Sequence, residues 1–62
     1  MKVKEIIRLL ESDGWFKVRQ KGSHQQFKHQ TKKGVVTVPK HKMSEDLTKG
    51  LENSILKQAG LK

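Results

Sequence analysis

The sequence predicts an α+β domain with the element order α-β-β-β-α, in which a three-stranded antiparallel sheet carries two helices on one face. Three observations favour this class: helical spacing of apolar residues near both ends of the chain, two-residue alternation in its middle, and glycines where these segments should turn. A chain of 62 residues with 32% hydrophobic residues has the material for one domain, residues 1–62, and for a thin core.

The first element is predicted to be an amphipathic helix that ends near Gly14. Its apolar residues follow the i, i+3, i+4, i+7 spacing of one helix face and are Val3, Ile6, Ile7 and Leu10. Gly14 comes directly after the last turn, where a left-handed C-cap favours glycine.

The first strand is predicted over residues 15–20, where charged and apolar side chains alternate. The two-residue period of a strand places Lys17 and Arg19 on one face, and Phe16 and Val18 on the other. We expect the charged pair to face water and the apolar pair to face the helices.

A turn at Lys21 and Gly22 leads to a second strand, predicted over residues 23–30. Phe27 is its only strongly apolar residue and should face the core. The residues on the Phe27 side are Gln25 and His29, and those on the water-facing side are His24, Gln26 and Lys28. We expect His29 to be peripheral.

The third strand is predicted over residues 35–38, after a hairpin loop in which Gly34 supplies unusual dihedral angles. Pro39 should end this strand because it cannot donate a ladder hydrogen bond.

The second helix is predicted to begin at Ser44, a good N-cap residue, with Glu45 and Asp46 in its first turn. Its apolar stripe consists of Leu47, Leu51 and Ile55. Glycine inside a helix costs about 1 kcal/mol relative to alanine, so we expect Gly50 to be there for close packing against a neighbour. Gly60 should form the C-cap.

The net positive charge of the chain comes entirely from its middle. The formal net charge is +8, and residues 15–42 hold eight cations and no acid. These cations are Lys17, Arg19, Lys21, Lys28, Lys32, Lys33, Lys40 and Lys42. Such an asymmetry indicates a surface for a polyanion, with nucleic acid first and an anionic membrane second. A basic face that serves only solubility is the alternative.

Composition excludes several classes of function. The chain has no cysteine, so it has no disulfide and no thiolate ligand or nucleophile. It also lacks a glycine-rich phosphate loop, and the basic block has no carboxylate pair. We expect neither a metal nor a cofactor. No apolar run reaches the ~20 residues of a membrane span, and the N-terminus lacks a signal-peptide core, so we expect a cytoplasmic protein.

His24 is the candidate catalytic residue. A histidine can exchange protons near neutral pH, nearby cations can stabilise charge on phosphoryl oxygens, and RNA carries its own nucleophile in the 2′-hydroxyl. A histidine that only contacts phosphate, or does nothing, is the alternative. Ser23 is a weak nucleophile candidate because no third group orients the base.

Candidate RNA contacts are Lys17, Arg19, Lys21, Ser23, Lys28 and His41, and Gly22 serves the turn. We expect Trp15 to be in the core, with base stacking as the alternative.

Three motifs resemble the HicA family of small mRNA-interferase toxins from bacterial toxin–antitoxin pairs. They are Gly22-Ser23-His24 followed by Phe27, then Thr37-Val38-Pro39 followed by His41, and finally Ile55-Leu56-Lys57-Gln58-Ala59-Gly60. The order and spacing of these motifs cover nearly the whole chain. The chain departs from many relatives at Leu51, where they have a small polar residue, but this position is in the packing helix.

The resemblance implies a fold similar to double-stranded-RNA-binding domains and metal-independent endoribonuclease activity on mRNA, which inhibits translation and growth. It assigns the catalytic role to His24 and implies a HicB-type antitoxin that masks this site. From the residues themselves, two other functions remain open. One is a non-catalytic RNA-binding module that uses the same basic sheet. The other is a DNA-binding antitoxin or repressor, which is disfavoured because neither helix carries an excess of basic residues.

Overall fold

The computed structural model describes all residues, Met1–Lys62. The elements are helix α1 (Val3–Ser12), strands β1 (Trp15–Lys21), β2 (His24–His29) and β3 (Val36–Val38), and helix α2 (Lys49–Gln58). The strands form one antiparallel sheet in the order β1-β2-β3. The predicted α+β class and element order are confirmed. Neither helix is long and apolar enough to cross a membrane.

Both helices cover the same face of the sheet, with α1 over β1 and α2 over β3. The core between them contains eleven buried hydrophobic residues: Val3, Ile6, Ile7, Leu10, Trp15, Phe27, Val36, Val38, Leu47, Ile55 and Ala59. Each large aliphatic or aromatic side chain buried here stabilises the fold by about 1.5–3 kcal/mol. The opposite face of the sheet carries no helix, and we call it the open face.

Glycine is required at Gly14 for two separate reasons. Its φ of +104° lies in the region that favours glycine, and it follows the C-cap of α1 as predicted. A Cβ atom at this position would also lie 2.7 Å from Nε2 of His29. Any side chain here would therefore displace the His29 ring.

The predicted faces of β1 are wrong for Phe16 and Val18. Only Trp15 is buried in this strand, while Phe16 and Val18 are each 47% exposed. Lys17 pairs with the buried Phe27 and therefore lies on the helix side of the sheet. Its side chain is exposed there because the helices do not cover it. The register then shifts at a β-bulge between residues 17 and 19.

The bulge has a direct consequence for the charged residues of β1. Arg19 pairs with Gln26 instead of continuing on the Lys17 side, and so lies on the open face. A strict two-residue period would have kept Lys17 and Arg19 together. The predicted position of Arg19 is therefore correct, and that of Lys17 is wrong, for one structural reason.

The predicted start of the second helix is also wrong. Thr48, not Ser44, is the N-cap of α2, and its hydroxyl accepts a hydrogen bond from the Leu51 amide at 3.2 Å. The preceding segment runs beside the start of α1, where the carbonyl of Glu45 accepts from the Val3 amide at 2.9 Å. The Met43 carbonyl similarly accepts from the Lys4 amide at 3.1 Å. These bonds satisfy amides that a helix N-terminus leaves unpaired, so the segment has a tertiary role that competes with helix formation.

The expectation of close packing at Gly50 is not met. A Cβ atom at this position would have nothing within 4 Å, although the residue lies in the first turn of α2. Nothing in the structure explains a glycine here.

Candidate nucleic-acid interface

A two-residue turn places His24 at the start of β2. Gly22 and Ser23 form the turn, and Lys21 and His24 face each other directly across the two strands. Gly22 has a φ of +59°, as the first central residue of a type II′ hairpin turn requires. The Gln20 side chain donates to the Gly22 carbonyl at 3.2 Å and fixes the turn from the strand side.

The open face carries basic and amide side chains on both strands of this hairpin. Residues that pair across an antiparallel ladder share a face, with Cβ atoms about 4.5–5.5 Å apart. The open-face pairs are Lys21 with His24, Arg19 with Gln26, and Phe16 with Lys28, and Thr37 extends the Gln26 row onto β3. No Asp or Glu occurs in any strand. The open face therefore carries positive charge and no negative charge.

His24 is exposed, and neither of its ring nitrogens has a hydrogen-bond partner within the protein. Its neighbour across the ladder is the ammonium-bearing Lys21. Both ring nitrogens are thus free to exchange a proton with a bound molecule, and a cation is within reach of the same molecule. No carboxylate orients this ring, so the site is not a triad.

His29, at the other end of β2, is fully engaged within the protein. Its Nε2 lies 2.6 Å from the carbonyl oxygen of Asp13, and its Nδ1 accepts from the amides of Thr31 and Lys32 at 3.1 and 3.2 Å. The ring also packs edge-on against Trp15, with centroids 5.2 Å apart. His29 lies on the Phe27 side as predicted, but it joins α1 to the β2–β3 loop and is not peripheral.

Two cations of the basic block are used inside the fold. The Lys32 ammonium lies 2.5 Å from the Asp13 carboxylate and donates to the Ala59 carbonyl at 3.1 Å, so it joins the C-terminal ends of both helices. Lys40 pairs with Glu45 at 3.2 Å. The other six cations of residues 15–42 have no carboxylate partner, so most of the charge excess remains available to a ligand.

The hydrogen bond from Lys32 lowers the pKa of the Asp13 carboxyl below its ordinary value of 3.8. Desolvation opposes this change, while the positive charge of Lys32 and the indole N–H of Trp15 add to it. Asp13 therefore stays ionised and holds the β2–β3 loop against the end of α1.

The remaining predicted RNA contacts lie at different places. Ser23 is in the turn beside His24 and partly exposed, and Lys28 is exposed on the open face. His41 is exposed in the loop after β3. In the same loop, the backbone carbonyl of Lys40 accepts a hydrogen bond from the buried Gln25 side chain at 2.8 Å. Lys17 lies off the open face, and its ammonium contacts the Gln20 amide oxygen at 3.2 Å. The open face thus brings together His24, Arg19, Lys21 and Lys28, but not Lys17.

Sequence reasoning missed Phe16. Base stacking was considered for Trp15 only, as the alternative to a place in the core. Trp15 is 2% exposed, whereas Phe16 is 47% exposed on the open face. The available signal was that two adjacent aromatic residues in a strand must point to opposite faces. One of them was bound to lie on the water side.

The open face has no enclosed pocket. The single surface cavity, of about 370 Å³, lies along α1 and is lined by Met1, Glu5, Arg8, Leu9 and Ser12. No three His, Cys, Asp or Glu side chains come together in a group that could hold a metal ion. An open, positively charged sheet suits an extended polyanion better than a small molecule.

A family model described as the HicA toxin of bacterial toxin–antitoxin systems matches residues 3–61 of the chain. The match includes every element of the fold and the whole open face. A search of curated proteins gives no match.

Proposed function

The chain belongs to the HicA family of toxins from bacterial toxin–antitoxin systems, and on this premise we propose that it is an endoribonuclease that cleaves mRNA with His24 as its catalytic residue. The observation that carries the proposal is an exposed imidazole without protein partners, opposite Lys21 on a basic face without carboxylates.

The reaction follows from the groups that this face offers. An extended RNA strand lies along the sheet, with its phosphates near Arg19, Lys21 and Lys28. His24 takes the proton of a ribose 2′-hydroxyl, whose oxygen forms a bond to the adjacent phosphorus as the bond to the 5′-oxygen breaks. The leaving oxygen gains a proton from water. Lys21 stabilises the negative charge that builds on the phosphoryl oxygens.

This mechanism predicts a specific product. Attack by the 2′-hydroxyl leaves a 2′,3′-cyclic phosphate on one fragment and a 5′-hydroxyl on the other. A single 2′-deoxy nucleotide at the cleaved position should block the reaction, because it removes the nucleophile. Fragments that end in a 5′-phosphate would contradict this chemistry.

The proposal is tested by His24→Ala, with His41→Ala as the matched control. Both histidines are exposed and neither makes a hydrogen bond within the protein, so both variants should fold. With purified protein and RNA in EDTA, we expect His24→Ala to lower the cleavage rate about 100- to 10,000-fold, the usual range for general acid–base catalysis. His41→Ala should alter RNA affinity at most. Full activity in folded His24→Ala would contradict the assignment.

A non-catalytic RNA-binding module is the second candidate, favoured by the absence of any side chain that orients His24. This candidate predicts salt-dependent binding without cleavage, with the affinity distributed over Arg19, Lys21 and Lys28. Product analysis separates it from the ribonuclease. Stronger binding of duplex DNA than of RNA in a gel-shift assay would contradict both.

As a member of a toxin–antitoxin family, the chain has an antitoxin as its partner class. We propose that this antitoxin is of the HicB type, that it covers the open face and blocks RNA, and that both proteins act in the cytoplasm. Co-expression with the adjacent reading frame should restore growth and yield a complex. Failure of both rescue and co-purification would contradict this partner.

A further inference from the structure

We infer that Phe16 is a stacking platform for a base of single-stranded RNA, at a contact point separate from the bond that is cleaved at His24. The inference rests on the proposed function, since it adds a second contact point on the same substrate. Phe16 is 47% exposed on a sheet face where every other open-face pair consists of polar or charged side chains.

The position of Phe16 within the sheet supports this role. Phe16 lies directly across from Lys28, so its ring and an ammonium without a carboxylate partner occupy neighbouring positions on the open face. A nucleotide offers the two matching groups, a flat base and a phosphate. Aromatic side chains next to cations are the arrangement that single-strand-binding surfaces use.

The charge of the face disfavours a second copy of this chain as the occupant of Phe16, and the exposed ring favours RNA over an acidic protein segment. A second copy would bring the same unpaired cations of this face into contact with each other. A protein strand has no π-face at regular intervals, whereas every base has one. A duplex keeps its bases stacked and paired, so a ring on a flat sheet cannot reach them. Phe16 therefore selects single-stranded RNA, although the fold resembles domains that bind duplexes.

The distance along the strand separates the two contact points. Lys28 is four residues from His24 along β2, which corresponds to about 13 Å at the usual rise of a strand. The base on Phe16 therefore lies at a second contact point, away from the bond that is cleaved at His24.

The test measures binding in the His24→Ala background, so that the RNA stays intact and the result does not depend on cleavage. Fluorescence anisotropy with a labelled single-stranded RNA compares Phe16→Leu, Phe16→Trp and Val18→Ala. Leucine keeps an apolar side chain but has no π-face, and we expect it to weaken binding about 5- to 150-fold. Tryptophan should preserve binding. Val18→Ala, at an equally exposed apolar position, should leave it unchanged.

Salt dependence distinguishes stacking from charge. Phe16→Leu should leave the slope of log affinity against log salt as it is in the parent. Lys28→Ala should reduce the magnitude of that slope by about 0.7, the contribution of one phosphate contact on a single strand. Circular dichroism confirms that each variant is folded.

Three results would overturn the inference: equal affinity of Phe16→Leu and its parent, equal weakening of duplex and single-stranded RNA binding, or loss of the antitoxin complex with unchanged RNA affinity. The last result would assign Phe16 to the protein partner. None of these results concerns cleavage, so they are distinguishable from a failure of His24→Ala to lose activity.

Discussion

His24 and His29 begin and end the same strand, but the sheet gives them opposite surroundings. His29 lies on the helix side, where Asp13, Thr31 and Lys32 engage both ring nitrogens. His24 lies on the open face with neither nitrogen engaged. A histidine whose hydrogen bonds are all made within the protein supports the fold, whereas one whose nitrogens are free can act on a ligand. The difference follows from their separation of five residues, which puts them on opposite faces.

The largest expected effect is a difference in stability between the two alanine variants. His29→Ala should lower the free energy of unfolding by about 2 kcal/mol, because it removes the hydrogen bond to Asp13 and leaves two amides without their acceptor. Thermal unfolding followed by circular dichroism should show a Tm lower by about 4–8 °C for each kcal/mol. His24→Ala should change stability by less than about 0.5 kcal/mol.

His29→Phe provides the matched control for this experiment. Phenylalanine keeps an aromatic ring against Trp15 but cannot form the hydrogen bonds, so its stability should fall between those of the native protein and His29→Ala. If His29→Ala unfolds at the native temperature, His29 has no structural role and the contrast between the two histidines fails.

The pH dependence of stability tests the contact between Asp13 and Lys32 on the helix side of the sheet. Lys32 depresses the folded-state pKa of this carboxyl below 3.8, so the Asp13 contribution to stability is fully present above the unfolded-state value. It should be lost as the pH falls below about 4 and through the folded-state pKa. The stability difference between the native protein and Asp13→Asn should therefore be constant near neutral pH and shrink in acid.

Asp46→Asn is the control for the titration, because Asp46 is 77% exposed and lies 3.7 Å from the Lys2 ammonium. Its ion pair is screened by water, so the variant should follow the native protein at every pH. A constant difference between Asp13→Asn and the native protein down to pH 2 would show that the contact with Lys32 does not depend on the charge of Asp13.

The smallest expected effect concerns Gly50 in α2, where a Cβ atom would have open space around it. Gly50→Ala should raise the free energy of unfolding by about 0.5–1 kcal/mol, because alanine restricts the unfolded chain and has open space in the folded one. Chemical denaturation measures the gain. Gly14→Ala is the opposite control, since φ is +104° there and His29 occupies the space. A loss of stability in Gly50→Ala would indicate strain that the structure does not show.

Much of the open face could be predicted from the local sequence. Phe27 is the only strongly apolar residue of β2, so it determined which side of that strand is buried and placed His24, Gln26 and Lys28 outside. Gly14 and Gly22 marked the ends of α1 and β1 because few other residues adopt a positive φ. These features depend on a residue and its immediate neighbours.

The face of each β1 side chain was decided by tertiary structure. Trp15 and Phe16 are both aromatic, so alternation alone could not choose which one enters the core; contacts of Trp15 with Asp13 and His29 made the choice. The bulge places Arg19 on the open face and Lys17 on the helix side. A strict two-residue alternation does not predict this separation.

The sequence by itself determined the order of the elements, the faces of β2 and the location of the whole charge excess, because each depends on local periodicity or composition. Only the tertiary structure decided that α2 begins at Thr48 and that Lys32 is held by Asp13 while Arg19 is free. These outcomes depend on contacts between residues far apart in the chain. Such contacts override local preference where they satisfy a helix end or pair a charge.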